Sequence, residues 1–248
     1  MIRKLQALRS FRGATFAVGV FVATLFALAG EKAAYAQAHY FGEQGQLTFT
    51  AENLFGVAFD RYAYEAAGDT TIAQTSTHTG FLYSNQLGAT PRGPWIGAHY
   101  FIIPNLSIGG TLGVESTTFS TTQTQGGNSV TNQGDTASGF VILPKAGYAL
   151  PLTPIMAFWF RGGLGFARSA TSDPDDDSGT ARTAWFVSLD ALFVVTPVQY
   201  FGFYVGPQGN LSFAGSYSQT TNQGATTSWD ANYQGFSIDL GIVGNFNL

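Results

Sequence analysis

The sequence predicts an all-β protein: an antiparallel up-and-down transmembrane β-barrel of eight strands. Three observations lead there. Only 10% of the 248 residues are charged while 45% are hydrophobic, whereas a water-facing domain carries about a quarter charged residues. Beyond the N-terminus no apolar run reaches the ~20 residues that a membrane helix needs. From residue 46 onward, apolar residues alternate with small or polar ones, the period of two that sends successive strand side chains to opposite faces. A soluble β-sandwich alternates as well, but its second face carries charges into water. Here the second face reads as Gly, Ser, Thr, Asn and Gln with a few isolated charges, which suits a narrow enclosed lumen.

The first 36 residues read as an address. Arg3, Lys4, Arg9 and Arg12 form a positive leader, Ala14 to Gly30 is apolar, and Ala34-Tyr35-Ala36 supplies the small-x-small pattern of signal-peptide cleavage. Cleavage is predicted after Ala36, with Ala38 as the second choice. Residues 37–45 then form a short periplasmic segment, and 46–248 the barrel. Processing would remove five basic residues and one acidic one, leaving six basic against fourteen acidic. That balance, with no basic patch to meet phosphates, argues against nucleic acid as a partner. The chain has no cysteine, so disulfides and thiolate-based metal or redox centres are excluded.

The strands follow in order. In Leu47–Phe59, Leu47, Phe49, Ala51, Asn53, Phe55, Val57 and Phe59 share one face, opposed by Thr48, Thr50, Glu52, Leu54, Gly56 and Ala58. Ile96, Ala98, Tyr100 and Ile102 face out of the second strand, and Leu106, Ile108, Leu112 and Val114 out of the third, against Thr111 and Glu115. Phe140, Ile142, Ala146 and Tyr148 oppose Lys145 and Gly147; Phe158, Phe160, Leu164 and Phe166 oppose Arg161, Gly163 and Gly165. Trp185, Val187, Leu189 and Phe193 oppose Ser188 and Asp190; Phe201, Phe203, Val205, Leu211 and Phe213 oppose Tyr204, Gln208, Asn210 and Ser212. In the last strand Phe236, Ile238, Leu240, Ile242, Phe246 and Leu248 oppose Ser237, Asp239, Gly241 and Asn245.

Short connections marked by proline (Pro104-Asn105, Leu150–Pro154, Thr196–Gln199) alternate with long polar ones at 60–94, 120–138, 170–182 and 216–232. This is the pattern of tight periplasmic turns and longer outer loops. The region 60–94 is long for a loop, and Thr79–Leu87 is a candidate extra strand. Ten strands would need two such candidates.

On this register Glu52, Glu115, Lys145, Arg161, Asp190 and Asp239 point inward near mid-membrane depth, with His99 as a seventh. Charges in so confined a space must be paired, so a lumenal salt-bridge network is expected. It would fill the interior or, alternatively, gate a narrow pore for small solutes or ions; an eight-stranded interior is about filled by its own side chains. Catalytic residues are not expected. His39, His78 and His99 lack a readable nucleophile geometry, although Ser76 lies near His78, and a lipid-modifying enzyme is the remotest reading. No cofactor or metal is expected: Asp173, Asp175 and Asp177 in SDPDDDSG alternate as in a calcium loop, but the glycine falls one place late and the closing glutamate is missing. The loops 120–138 and 216–231 share Thr-Asn-Gln-Gly and would suit an extracellular ligand, as strand extensions or as flexible tips.

With its eight alternating strands, inward charge cluster and C-terminal Gly244-Asn245-Phe246-Asn247-Leu248, residues 40–248 resemble the OmpA/OmpX-like outer-membrane β-barrel family. The resemblance implies a monomer in the bacterial outer membrane, among lipids and lipopolysaccharide. It also implies insertion by the outer-membrane assembly machinery, which reads the last strand; Phe246 and Leu248 match its alternating apolar ending. Leucine stands where that family usually ends in phenylalanine, and Val243 where a glycine is usual. The expected role is non-enzymatic, structural or surface-interacting, without a wall-binding domain.

Overall fold

The structure is a computed structural model that describes residues 40–66, 70–81, 95–125, 128–173 and 178–247. The signal-peptide assignment, most of the acidic 172–179 tip and Leu248 lie outside these residues. The described elements are β1 (Gln46–Ala66), β2 (Thr70–Phe81), β3 (Trp95–Ile103), β4 (Leu106–Gln125), β5 (Asn128–Thr153), β6 (Met156–Ser172), β7 (Gly179–Val198), β8 (Phe201–Thr220) and β9 (Thr226–Asn247). All pairings are antiparallel, each strand from β3 to β9 pairs with the next, and β1 pairs with β9 to close the ring. Closure removes the edges that an open sheet would expose.

Nine strands occupy eight positions around the wall. The inner half of β1 pairs with β3, from Leu47↔Tyr100 to Glu52↔Trp95, and its outer half pairs with β2, from Phe55↔Phe81 to Ala66↔Thr70. β2 and β3 therefore run one after the other along the same edge of β1. The described extra strand spans Thr70–Phe81; it overlaps the candidate Thr79–Leu87 at 79–81, and the rest of that candidate lies outside the described residues. Its Thr-rich run lacks the apolar alternation that marks lipid-facing strands, so periodicity did not find it.

The handover coincides with a bulge. Between Ala51 and Phe55 β1 carries three residues, where β9 carries one between Ile242 and Leu240. Asn53 sits in this bulge with φ 59° and is 1% exposed, which corrects its assignment to the outward face. An extra residue pair leaves the phase unchanged, so Phe55 and Phe59 still face out. Asparagine is among the few residues that enter the left-handed region routinely. We expect Asn53→Val to lose about 1–2 kcal/mol for forcing a branched residue there, and Asn53→Gly to match or exceed the parent. Urea unfolding midpoints of the refolded protein would check both.

The turn positions are shifted slightly from expectation. β5 runs through Pro151 to Thr153 before the Pro154-Ile155 turn, and β7 runs through Pro197 to Val198 before Gln199-Tyr200. Much of what reads as long polar loop is strand. The β4–β5, β6–β7 and β8–β9 hairpins prolong the wall at the end opposite these tight turns.

The outside of the wall is an apolar belt: Phe49, Ile96, Ile108, Leu112, Ile142, Tyr148, Leu164, Leu189, Val205, Leu211, Phe236 and Ile238 are all exposed. A continuous belt of this kind far exceeds the patches that water-facing proteins tolerate and is what a lipid-facing barrel presents. Following register partners once round the wall, Asp60 leads to Gly235, Asn210, Ser188, Gly163, Lys145, Gly109, His99 and then Thr48. The circuit starts and ends on β1 but at different heights, the stagger that strand tilt requires in a closed barrel.

Candidate functional site

The lumen is layered. Along β5, Leu143 is followed by Lys145 and then Ala149; along β6, Ala167 by Arg161 and Trp159 as the wall is descended; along β7, Phe186 by Asp190 and Leu192. On each strand the charged residue is the middle one. Above it lies a buried cluster of Tyr62, Trp95, Val141, Leu143, Ala167, Ala184, Phe186, Ala231 and Tyr233. Below it lies another, of Phe41, Phe101, Ala149, Ala157, Trp159, Leu192, Val194, Tyr204 and Val243. Beside the Gly, Ser, Thr, Asn and Gln that the alternation suggested, the inward face thus carries two apolar strata. Two apolar layers enclose a polar one.

The middle layer holds four charges in a ring. Asp190 Oδ2 accepts from Lys145 Nζ at 2.8 Å, from Arg161 Nε at 2.9 Å and from Arg161 Nη2 at 2.8 Å. Arg161 Nη1 donates to Glu52 Oε1, and Lys145 Nζ lies 3.5 Å from Glu52 Oε2, which completes the circuit. Each of the four side chains is at most 2% exposed. Two cations and two anions make the ring neutral, and supporting hydroxyls occupy further lone pairs. Thr50 Oγ1 donates to Glu52 at 3.0 Å, and Ser188 Oγ donates to Asp190 Oδ1 at 3.3 Å. Below, the Arg161 guanidinium lies over the Trp159 ring, 4.7 Å from its centroid, a cation–π contact strengthened by the burial of both groups.

The three other charges expected to point inward lie outside the ring. Asp239 accepts from Ser237 Oγ, while Gly56, opposite on β1, leaves room for its carboxylate. His99 belongs to the lower layer, with Nδ1 3.5 Å from Ser107 Oγ and its ring edge-on to Trp159. Glu115 lies on β4 opposite Gly139 of β5, toward the long hairpins, and is half-buried. Among the described residues no group of His, Cys, Asp and Glu side chains is disposed to hold a metal ion. Ser76 is half-buried on β2 within a strand paired to β1, not in a loop.

Sequence reasoning missed the aromatic layers. Near the long-hairpin end Tyr62 stacks on Tyr233 at 5.2 Å, Tyr217 on Trp229 at 5.6 Å, and Arg182 lies 4.9 Å over Tyr62. At the other end Phe41, upstream of β1, packs edge-on against Phe101 and Trp159. The available signal was an aromatic on the inward phase, as at Tyr204 and Trp159.

No protein-family model matches the chain, and no curated protein matches it in sequence. Solved structures do. OprG from Pseudomonas aeruginosa is similar at 9% identity and TM-score 0.48, over 85% of this chain and 100% of that one. AlkL in lipid bilayers is similar at 12% identity and TM-score 0.47, over 88% and 97%. Ail of Yersinia pestis follows at 11% and 0.39, over 82% and 99%. The structures that the chain resembles are small outer-membrane β-barrels.

Proposed function

We propose that the chain is a non-enzymatic barrel of the bacterial outer membrane with a closed lumen and a structural or surface-interacting role. The observation that carries this reading is the neutral ring of Glu52, Lys145, Arg161 and Asp190, packed between two apolar layers. Charges held this way are ligands for one another rather than for a permeating ion. The lipid-facing belt supports residence in the membrane. The polar hairpins at the far end supply the surface on which an extracellular ligand or neighbouring lipopolysaccharide would act. Insertion by the outer-membrane assembly machinery, with Phe246 and Leu248 as its signal, and a monomeric state belong to the same proposal. Phe246 is exposed on the wall and rests edge-on against Phe49 across the β1–β9 seam.

Reconstitution into planar bilayers is the direct test. The expected record shows no openings above the protein-free background at moderate voltage. Discrete openings of the unmodified protein would establish a pore for small solutes or ions instead. Release of fatty acid from lipopolysaccharide or phospholipid by the purified protein would overturn the non-enzymatic assignment.

A further inference from the structure

We propose that residues 40–45 are a built-in stopper: a strap that folds across the tight-turn mouth and drives Phe41 into the lumen as a second seal, independent of the charged ring. β1 begins only at Gln46, so the strand ladder itself places no demand on the residues before it. Yet Phe41 is 3% exposed, edge-on to Phe101 with centroids 5.5 Å apart and to Trp159 at 5.1 Å. The chain reverses immediately after it. Gly42 has φ 102°, and a Cβ there would stand 2.9 Å from that of Ala149, so only glycine lets the strap lie this close over the end of β5.

The strap is pinned on both sides. Gly42 N donates to Gln46 Oε1 at 2.9 Å, and Asn105 N, in the β3–β4 turn, donates to Gly42 O at 2.7 Å. Gly45 N donates to Phe101 O at 2.9 Å, and Gln44 Nε2 to Ile102 O at 3.3 Å. These bonds tie the strap to the barrel rim rather than to a passing solvent loop. Above Phe41, Trp159 Nε1 donates to Ser107 Oγ at 3.3 Å, and Ser107 is fully buried. Ser107 thus sits in the packed lower layer between stopper and ring.

This goes beyond the closed-lumen reading and can fail separately from it. The stopper governs access from one mouth to the lower layer, whereas the conductance record tests passage through the whole lumen. Because the chain has no cysteine, engineered thiols report access without background. Ser107→Cys probes the layer below the ring. Ser237→Cys probes the lumen beyond it, since Ser237 pairs with Ala58, further out along β1 than Glu52. Both would be labelled with a small membrane-impermeant maleimide in nanodiscs, which leave both mouths free.

With Phe41 present, Ser107→Cys is expected to label slowly. Adding Phe41→Ala should speed it about tenfold or more, because the site then no longer waits for a local opening, while Ser237→Cys stays unchanged. Phe41→Leu, a milder change that spares the fold, should give an intermediate rate; unheated gel mobility checks that each variant is a folded barrel. Fast labelling of Ser107→Cys with Phe41 intact would overturn the stopper. So would slow labelling in folded Phe41→Ala or Phe41→Leu, and so would equal acceleration at Ser237→Cys, which would mean general loosening.

Discussion

Lys145→Ala and Arg161→Ala are each expected to destabilise the folded barrel by about 3–5 kcal/mol, the cost of leaving a buried charge without its partner. Arg161 is the more damaging of the two. It contacts Asp190 through Nε and Nη2 and Glu52 through Nη1, and its guanidinium also covers Trp159. Removing it leaves two carboxylates facing a single ammonium and strips a packing partner from the lower layer. Lys145→Ala leaves Arg161 still bridging both acids, so its loss falls toward the lower end of that range. The charge-balanced pair Arg161→Met with Glu52→Gln is expected to recover most of the stability, because the ring then remains neutral and the space stays filled. Urea unfolding in lipid vesicles, followed by tryptophan fluorescence, would read all three. Equal midpoints for Arg161→Ala and the parent would mean that the ring contributes nothing to the fold.

The second large effect is steric. Gly163 faces the lumen between Lys145 on β5 and Ser188 on β7. A Cβ there would stand 2.1 Å from the Pro144 carbonyl oxygen and 2.9 Å from Lys145 Cγ. The first clash is with backbone, which a rotamer change cannot relieve; the second pushes on a ring member. Gly163→Ala is therefore expected to cost at least the 1–3 kcal/mol typical of overpacking, and Gly163→Val to prevent refolding. Gly209 is the matched control, since nothing lies within 4 Å of a Cβ placed there. Gly209→Ala should refold like the parent. Refolding yield, read by the mobility difference between heated and unheated samples, separates these outcomes.

The wall was readable from sequence because a period of two survives closure into a barrel. Phe158, Leu189 and Phe236 face outward, and Arg161, Asp190 and Ser237 inward, as alternation requires. Height along the lumen is a different matter. Residues meet according to strand tilt and stagger, which depend on register, and register depends on bulges that leave little local trace. The two extra residues at Asn53 shift every later position of β1 along β9. For that reason alternation names seven inward charges without separating the four at one level from Asp239, Glu115 and His99. The aromatic layers were hidden for a related reason. Trp159 and Phe186 interrupt an otherwise small and polar inward face, and in a one-dimensional reading they look like exceptions rather than members of two strata. Thr70–Phe81 was missed because a strand that carries few apolar residues has no amphipathic signature.

The order in which the wall forms follows from where its seam lies. From β3 to β9, each pairing joins strands adjacent in sequence, whereas Thr48 and Asn245, which hydrogen-bond across β1 and β9, are 197 positions apart. Contacts of such separation carry the largest loop-closure cost and form late. Lys145, Arg161 and Asp190 lie on consecutive strands and can associate while the sheet is still an open ribbon, with one positive charge in excess. Glu52 lies on β1, 109 positions from Arg161, on the strand that also forms the seam. Its docking therefore neutralises the lumen as the ribbon becomes a cylinder. In kinetic terms Glu52 is the latch of the barrel, engaged late in folding and released early when the seam opens.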